Sequence, residues 1–194
     1  MRATLILGHP IWVALDDAGR VMGGAVCHWN RRLRVMMLSW LAVRPGIRGG
    51  GVGGRLLDAA TASWRTAYAP CLVLAEVEDP DHHHGSELTG DPARRQRFYL
   101  ARGARILELP YFQPSLGRGL PRVPHLHLMV LHVDPPLHGG TPDTVDATVV
   151  RRFLEKNLRT SEGRVGSDEQ TTGLWRAVDA HPDGIPHRPS PQSA

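Results

Sequence analysis

Of the 23 basic side chains in this 194-residue sequence, only Lys156 is a lysine. That scarcity excludes a Walker A nucleotide loop, which places a lysine directly after its glycines. Cysteine is nearly absent as well: Cys27 and Cys71 each lie in an apolar, strand-like context. Two such residues make no disulfide framework. With no nucleophile or metal-ligand spacing around them, they read as buried small hydrophobes in a reduced, cytoplasmic setting. No apolar run approaches the roughly 20 residues of a membrane span. The opening MRATLILGHP lacks the length and cleavage site of a secretory signal. The net charge of +4 is carried by arginine. It suits anionic ligands in general, but the arginines are dispersed, and neither an RNA-binding aromatic motif nor zinc-finger spacing accompanies them. Nucleic acid is therefore not the expected partner.

What the sequence has is glycine in one place. LAVRPGIRGGGVGGRLLDAA, beginning at Leu41, passes from an apolar run through Gly49, Gly50, Gly51, Gly53 and Gly54 into a helical pattern. Glycine lets the backbone adopt positive φ and come close to a ligand. The first turn of a helix leaves its N–H groups unpaired at the positive end of the helix dipole. A bare helix entrance of this kind suits a phosphate.

The surrounding pattern predicts a mixed α/β (α+β) domain. Ile11–Asp17, Val21–Trp29 and Arg34–Val43 read as strands joined by short turns, which predicts an antiparallel meander. Val52–Tyr68 reads as a helix with Leu56, Ala60, Trp64 and Ala67 on one face, and Pro70–Glu78 as a buried strand. Strand, helix and strand in this order predict a right-handed parallel crossover. Asp91 followed by Pro92 is a helix opening, and Gly103 the stop of that helix. Residues 104–112 read as one strand and His125–Val133 as another. A further helix is expected from Asp143 to Leu158, with Val145, Val149, Phe153 and Leu154 as its apolar side. The expected division is a domain over residues 1–135, a C-terminal helix within 136–160 packed on it, and a polar, proline-rich, mobile tail over 161–194.

Two further phosphate readings compete. GVGGRL does not match the G-x-G-x-x-G dinucleotide fingerprint, and the strands before it look antiparallel. Arg48, Gly51 and Gly53 instead form Arg-x-x-Gly-x-Gly between a strand and an amphipathic helix. RFYLARGARIL, with Phe98, Tyr99 and Gly103, supplies a second signature. With these two motifs and the strand CLVLAEVE between them, the chain resembles the GNAT superfamily of N-acetyltransferases over Ile11–Val133. The resemblance implies a mostly antiparallel sheet with a central parallel crossover. It leaves unmatched the family's usual opening strand and two helices, which help wall the acceptor site. Only residues 1–10 precede Ile11. A late start codon, the helix near Asp143–Leu158 or a second subunit in a homodimer are the alternatives for that wall.

The resemblance further implies acetyl-coenzyme A as cofactor and direct attack of an amine on its thioester. Arg48, Gly49, Gly50, Gly51, Val52, Gly53 and Gly54 would bind the pyrophosphate, and Leu41, Ala42 and Val43 would lend backbone amides to the acyl end. Tyr99 matches the family's tyrosine that protonates the leaving thiolate. The family's strand glutamate is absent, since Met36 and Met37 hold its place, so Glu76 and Glu78 are the candidates for the general base. An asparagine that usually precedes the tyrosine is replaced by Pro92. The consecutive histidines of DPDHHHG do not converge on a metal in a regular strand and read as a polar loop bordering the acceptor. Tyr111 and Gln113 are placed to line the acceptor pocket. Two functional classes stay open. One is a transferase acting on a primary amine, of a small molecule first and of a protein second. The other is an acetyl-coenzyme A-binding module without transfer.

Overall fold

The computed structural model describes residues 2–6, 9–47, 49–69, 71–86, 90–117 and 119–188. Strands β1 (Arg2–Ile6), β2 (His9–Leu15), β3 (Val21–Asn30) and β4 (Val35–Val43) form the antiparallel meander. β1 is an opening strand that the sequence reading left unassigned. It pairs with β2 directly, so no helices intervene between them. Helix α1 (Val52–Ala67) then crosses to β5 (Leu72–Glu78), which runs parallel to β4. Helix α2 (Pro92–Leu100) opens as its sequence predicts: Asp91 caps it by accepting from Ala93 N–H, and Pro92 sits at the first helical position.

Residues 104–112 depart from the single strand expected. β6 (Arg105–Leu107) and β7 (Tyr111–Gln113) are separate, divided at Leu109–Pro110, because proline cannot donate to a ladder. Both pair with β8 (Val123–Val133), which is antiparallel to β5. Thr144–Val145 is a short strand, β9, and helix α3 (Ala147–Glu162) starts later than expected because Asp146 is its cap, accepting from Val149 N–H.

The tail over 161–194 is corrected as far as it is described. Helix α4 (Glu169–Asp179), capped by Asp168, and strand β10 (Ile185–Arg188) are ordered by packing: Leu174, Val178 and Ile185 are buried. The low hydrophobic content hid the helical spacing of Thr171, Leu174 and Val178. Residues 189–194 lie outside the described residues.

The described strands form one ten-stranded sheet, ordered β1-β2-β3-β4-β5-β8-β6-β10-β9 with β7 against β8. Each face carries its own core. Leu56, Leu57, Ala60 and Trp64 of α1 and Tyr99 of α2 pack on Cys27, Met36, Leu38, Val73 and Ala75. On the other face, Phe153, Leu154 and Leu158 of α3 and Leu174 and Val178 of α4 pack on Met37, Leu72, Leu74 and Leu128. Helices α3 and α4 thus cover the sheet face opposite α1 and α2. No described helix is long and apolar enough to cross a membrane.

Candidate active site

β4 and β5 are hydrogen-bonded partners only from Val35↔Leu72 to Leu38↔Ala75. β4 continues to Val43 against β3, and β5 continues to Glu78 against β8, so the two strands part company and a wedge opens between them. The divergence begins where the register with β3 slips: Cys27 faces Leu38, Val26 faces Trp40, and Ser39 is the unopposed residue of a bulge. Past the bulge, Leu41, Ala42 and Val43 present the β5-facing edge of their backbone to this wedge.

The glycine segment closes the wedge at one end. Gly46, Gly49 and Gly51 have φ of 85°, 96° and 73°, the left-handed conformation that wraps the chain back into α1. Gly51 caps α1 with no side-chain hydrogen bond, so the first-turn N–H groups of Val52, Gly53 and Gly54 have no side-chain acceptor at the cap. A Cβ on Gly53 would lie 3.2 Å from Val43 Cγ2, so the helix entrance and the end of β4 approach each other closely. Arg102, which the sequence reading did not single out, lies across Gly54. It stacks on Phe98 at 4.2 Å and pairs with Asp58 at 3.4 Å. Arg55 folds back towards the Gly50 carbonyl at 3.4 Å. An unblocked helix start flanked by two guanidinium groups fits a diphosphate. Arg48 lies outside the described residues.

Tyr99 is 7% exposed and packs within the α1-side core, edge-on to Phe98 at 5.1 Å. Burial pushes its phenol up to about 12, against a smaller downward pull from Arg95. The hydroxyl therefore keeps its proton throughout the physiological range.

Glu76 is the first β5 residue beyond the last β4 pair, and its cross-strand neighbour Leu128 places it on the α3 side. The Tyr111 hydroxyl donates to Glu76 Oε1, and Gln113 Nε2 donates to Oε2 at 2.6 Å. Burial and the Glu76 charge push the Tyr111 phenol well above its usual range, while Asn157 of α3 acts in the opposite direction. Glu78, at the end of β5, is held at 2.6 Å by Arg95 of α2. Arg95 and Asn157 were invisible as site residues in the sequence, since only the fold brings α2 and α3 to β5. Trp40, 69% exposed, shares the Glu76 face through its pairing with Val26.

A cleft of about 610 Å³ opens where β6 gives way to β7, lined by Asp79, Glu108, Tyr111, His127, Glu169 and Arg188 among others. Tyr111 thus touches both this cleft and Glu76. The histidine loop after β5 disperses its side chains. His82 bonds Asp79 at 3.2 Å and stacks on His125 at 4.0 Å, while His83 Nε2 meets the Pro124 carbonyl at 2.9 Å. His127 faces Asp79 at 3.5 Å, and burial lowers its imidazole pKa despite that carboxylate.

Residues 8–103 match the family model for the acetyltransferase (GNAT) domain. Among solved structures, the chain is similar to a protein from Bacteroides thetaiotaomicron described as a GNAT-family acetyltransferase. The identity is 23%, with 78% of this chain and 71% of that one covered and a TM-score of 0.53. It is similar also to a Bacillus anthracis protein described as a streptothricin acetyltransferase, solved in complex with acetyl coenzyme A. There the identity is 20%, the coverages are 65% and 63%, and the TM-score is 0.45. A ribosomal-protein-alanine N-acetyltransferase from Brucella melitensis matches at 22% identity, 63% and 68% coverage and a TM-score of 0.44. No curated protein matches the sequence. The chain carries a GNAT acetyltransferase domain.

Proposed function

We propose that the protein transfers the acetyl group of acetyl-coenzyme A to a primary amine of a small molecule, by direct attack and without an acyl-enzyme. The observation that carries this reading is the parting of β4 from β5 beyond Leu38↔Ala75, with the uncapped start of α1 at its mouth. When bound, the cofactor supplies an activated thioester. The amides of Gly49–Gly54, with Arg102 and Arg55 beside them, would hold its diphosphate, and the exposed edge of Leu41–Val43 would offer amides to the acyl end.

Tyr99 and Glu76 stand on opposite sides of β5. Tyr99, protonated at working pH, donates to the departing thiolate. Glu76, oriented by Tyr111 and Gln113, takes the proton of the attacking amine directly or through water; Glu78 is the second candidate for that role. An amine acceptor is a cation before it loses that proton. The carboxylates of Asp79, Glu108 and Glu169 around the adjoining cleft suit such a ligand, and the cleft's volume suits a small molecule.

The test is acetyl-coenzyme A consumption across a panel of polyamines, amino sugars and peptide amines, with Tyr99→Phe in parallel. Turnover by the wild type, cut about 100-fold in kcat by the substitution, supports the proposal. Coenzyme A binding without turnover on any amine, unchanged in Tyr99→Phe, would instead make this a binding module.

A further inference from the structure

At the end away from the wedge, β5 is flanked by β4 on one side and β8 on the other. There, three side chains of different chemistry meet. Cys71, just before β5, faces Asp134, just after β8: Asp134 N–H donates to the Cys71 carbonyl at 3.0 Å and Cys71 N–H to Asp134 Oδ2 at 2.6 Å. His132 lies two residues before Asp134, opposite Val73, and so on the same face as both. Its Nε2 is 2.9 Å from Asp134 Oδ1. The Cys71 sulfur, a His132 nitrogen and an Asp134 oxygen all lie within 4.8 Å of one another.

We propose that Cys71, His132 and Asp134 form a binding site for a zinc-class divalent cation, which staples the start of β5 to the end of β8. The donor set selects the ion. A thiolate, an imidazole and one carboxylate match zinc and its neighbours, whereas magnesium and calcium require several oxygens. Three protein ligands leave a fourth position for water, and His132 also lines a cavity of about 240 Å³ together with Asp58, Thr61, Arg65, Tyr99 and Arg102.

Burial and the Asp134 carboxylate push the Cys71 thiol up to about 11, against smaller downward pulls from Arg65 and Arg34. The thiolate and the carboxylate together offset a dication, so the thiol must lose its proton on binding. Nothing in the spacing 71, 132, 134 shows this group, because the register of β5 on β8 creates it.

The protein, freed of any affinity tag and stripped by chelation, is titrated with Co²⁺ and separately loaded with Zn²⁺. One equivalent of Co²⁺ should bind with tetrahedral visible bands and a sulfur-to-cobalt charge-transfer band. That band should vanish in Cys71→Ser, which retains Cys27 as the only thiol. It should persist when His82, His83 and His84 are all replaced by alanine. Loss of a single supporting partner weakens a metal site about 10–100-fold, so loss of a ligand in His132→Gln should weaken Zn²⁺ binding at least that much. X-ray absorption on the zinc-loaded wild type, which depends on no variant folding, should show one sulfur at about 2.3 Å and lighter ligands at about 2.0–2.2 Å. A zinc shell without sulfur, a charge-transfer band that survives in Cys71→Ser, or metal binding abolished by the triple histidine variant would overturn the proposal.

Discussion

The two sides of β5 are assembled in different ways. On the α1 side, the wedge, the bare helix start, α1 itself and Tyr99 all come from residues 41–99, in the order in which the chain runs. On the α3 side, Glu76 is held by Tyr111 and Gln113 of β7, Asn157 of α3 bonds Tyr111 in turn, and α4 and β10 complete the cleft. One side is a local construction with a fixed motif, and the other is gathered from distant segments. The lesson is a division of labour. On the proposed function, the part that would hold the cofactor is carried by contiguous sequence, while the part that would meet the acceptor depends on how remote elements dock.

That contrast can be broken experimentally, and the largest effect should come from the local side. Gly53→Glu places a carboxylate in a spot where even a Cβ meets Val43 at 3.2 Å, and Gly51→Asp strains a residue at φ 73°. A left-handed non-glycine residue costs roughly 1–2 kcal/mol. A negative charge at a helix start that should hold diphosphate adds repulsion. Either variant should reduce coenzyme A affinity by about 100-fold or more while circular dichroism stays native. Unchanged affinity in a calorimetric titration would remove the glycines from the cofactor site.

On the gathered side, substitutions should show first in stability and in the acceptor's KM. Tyr111→Phe takes one of two donors from the Glu76 carboxylate, and an unmade buried hydrogen bond costs about 1–3 kcal/mol. Urea denaturation should show this loss, with the KM for acetyl-coenzyme A unaltered. If coenzyme A affinity fell instead, the two sides would not be separable.

A smaller effect concerns the docking of α4. Arg122, just before β8, bonds Glu162 through two nitrogens, at 2.8 and 2.7 Å, and Asp168 at 2.7 Å. Burial works to raise the Asp168 carboxyl, but the Thr171 amide and the Arg122 guanidinium outweigh it and hold it at about 2. Arg122 likewise lowers Glu162, against burial. Both carboxyls are depressed in the folded state, so their contribution is present above the ordinary carboxylate range, about 4. It is lost as pH falls through the lowered folded-state values, about 2 for Asp168. Arg122→Ala should therefore move acid unfolding of the C-terminal helices to higher pH, read by circular dichroism between pH 5 and 2. An unshifted acid transition would show that α4 is held by its apolar contacts alone. Smallest of all, Asp91→Ala removes the cap of α2 and should cost about 1 kcal/mol. It sharpens the comparison by perturbing Tyr99's helix without touching either side's ligands.

The sequence was most legible where chemistry and chain order coincide. Gly49–Gly54, the Asp91–Pro92 opening and the meander are local signals, and each lies at or within a residue or two of its expected place. The failures have separate causes. Pro110 divided a run that alternation alone reads as continuous. Asp146 rather than Asp143 starts α3 because Val145 is used as a strand. The helix over Glu169–Asp179 has three buried positions, so composition outweighed spacing. The donors to Glu76 and the meeting of Cys71 with His132 and Asp134 depend on strand register, which no short window contains.

Ser39 shows how much one residue of slack can decide. Simple alternation from Leu38 would turn Trp40 inward beneath α1 and Leu41 outward. The supernumerary serine reverses that parity, so the indole stands on the Glu76 face and Leu41 packs under the helix. Excising this single position would therefore swap the lining of both halves of the wedge at once, leaving every motif in the sequence intact and each aimed at the wrong side.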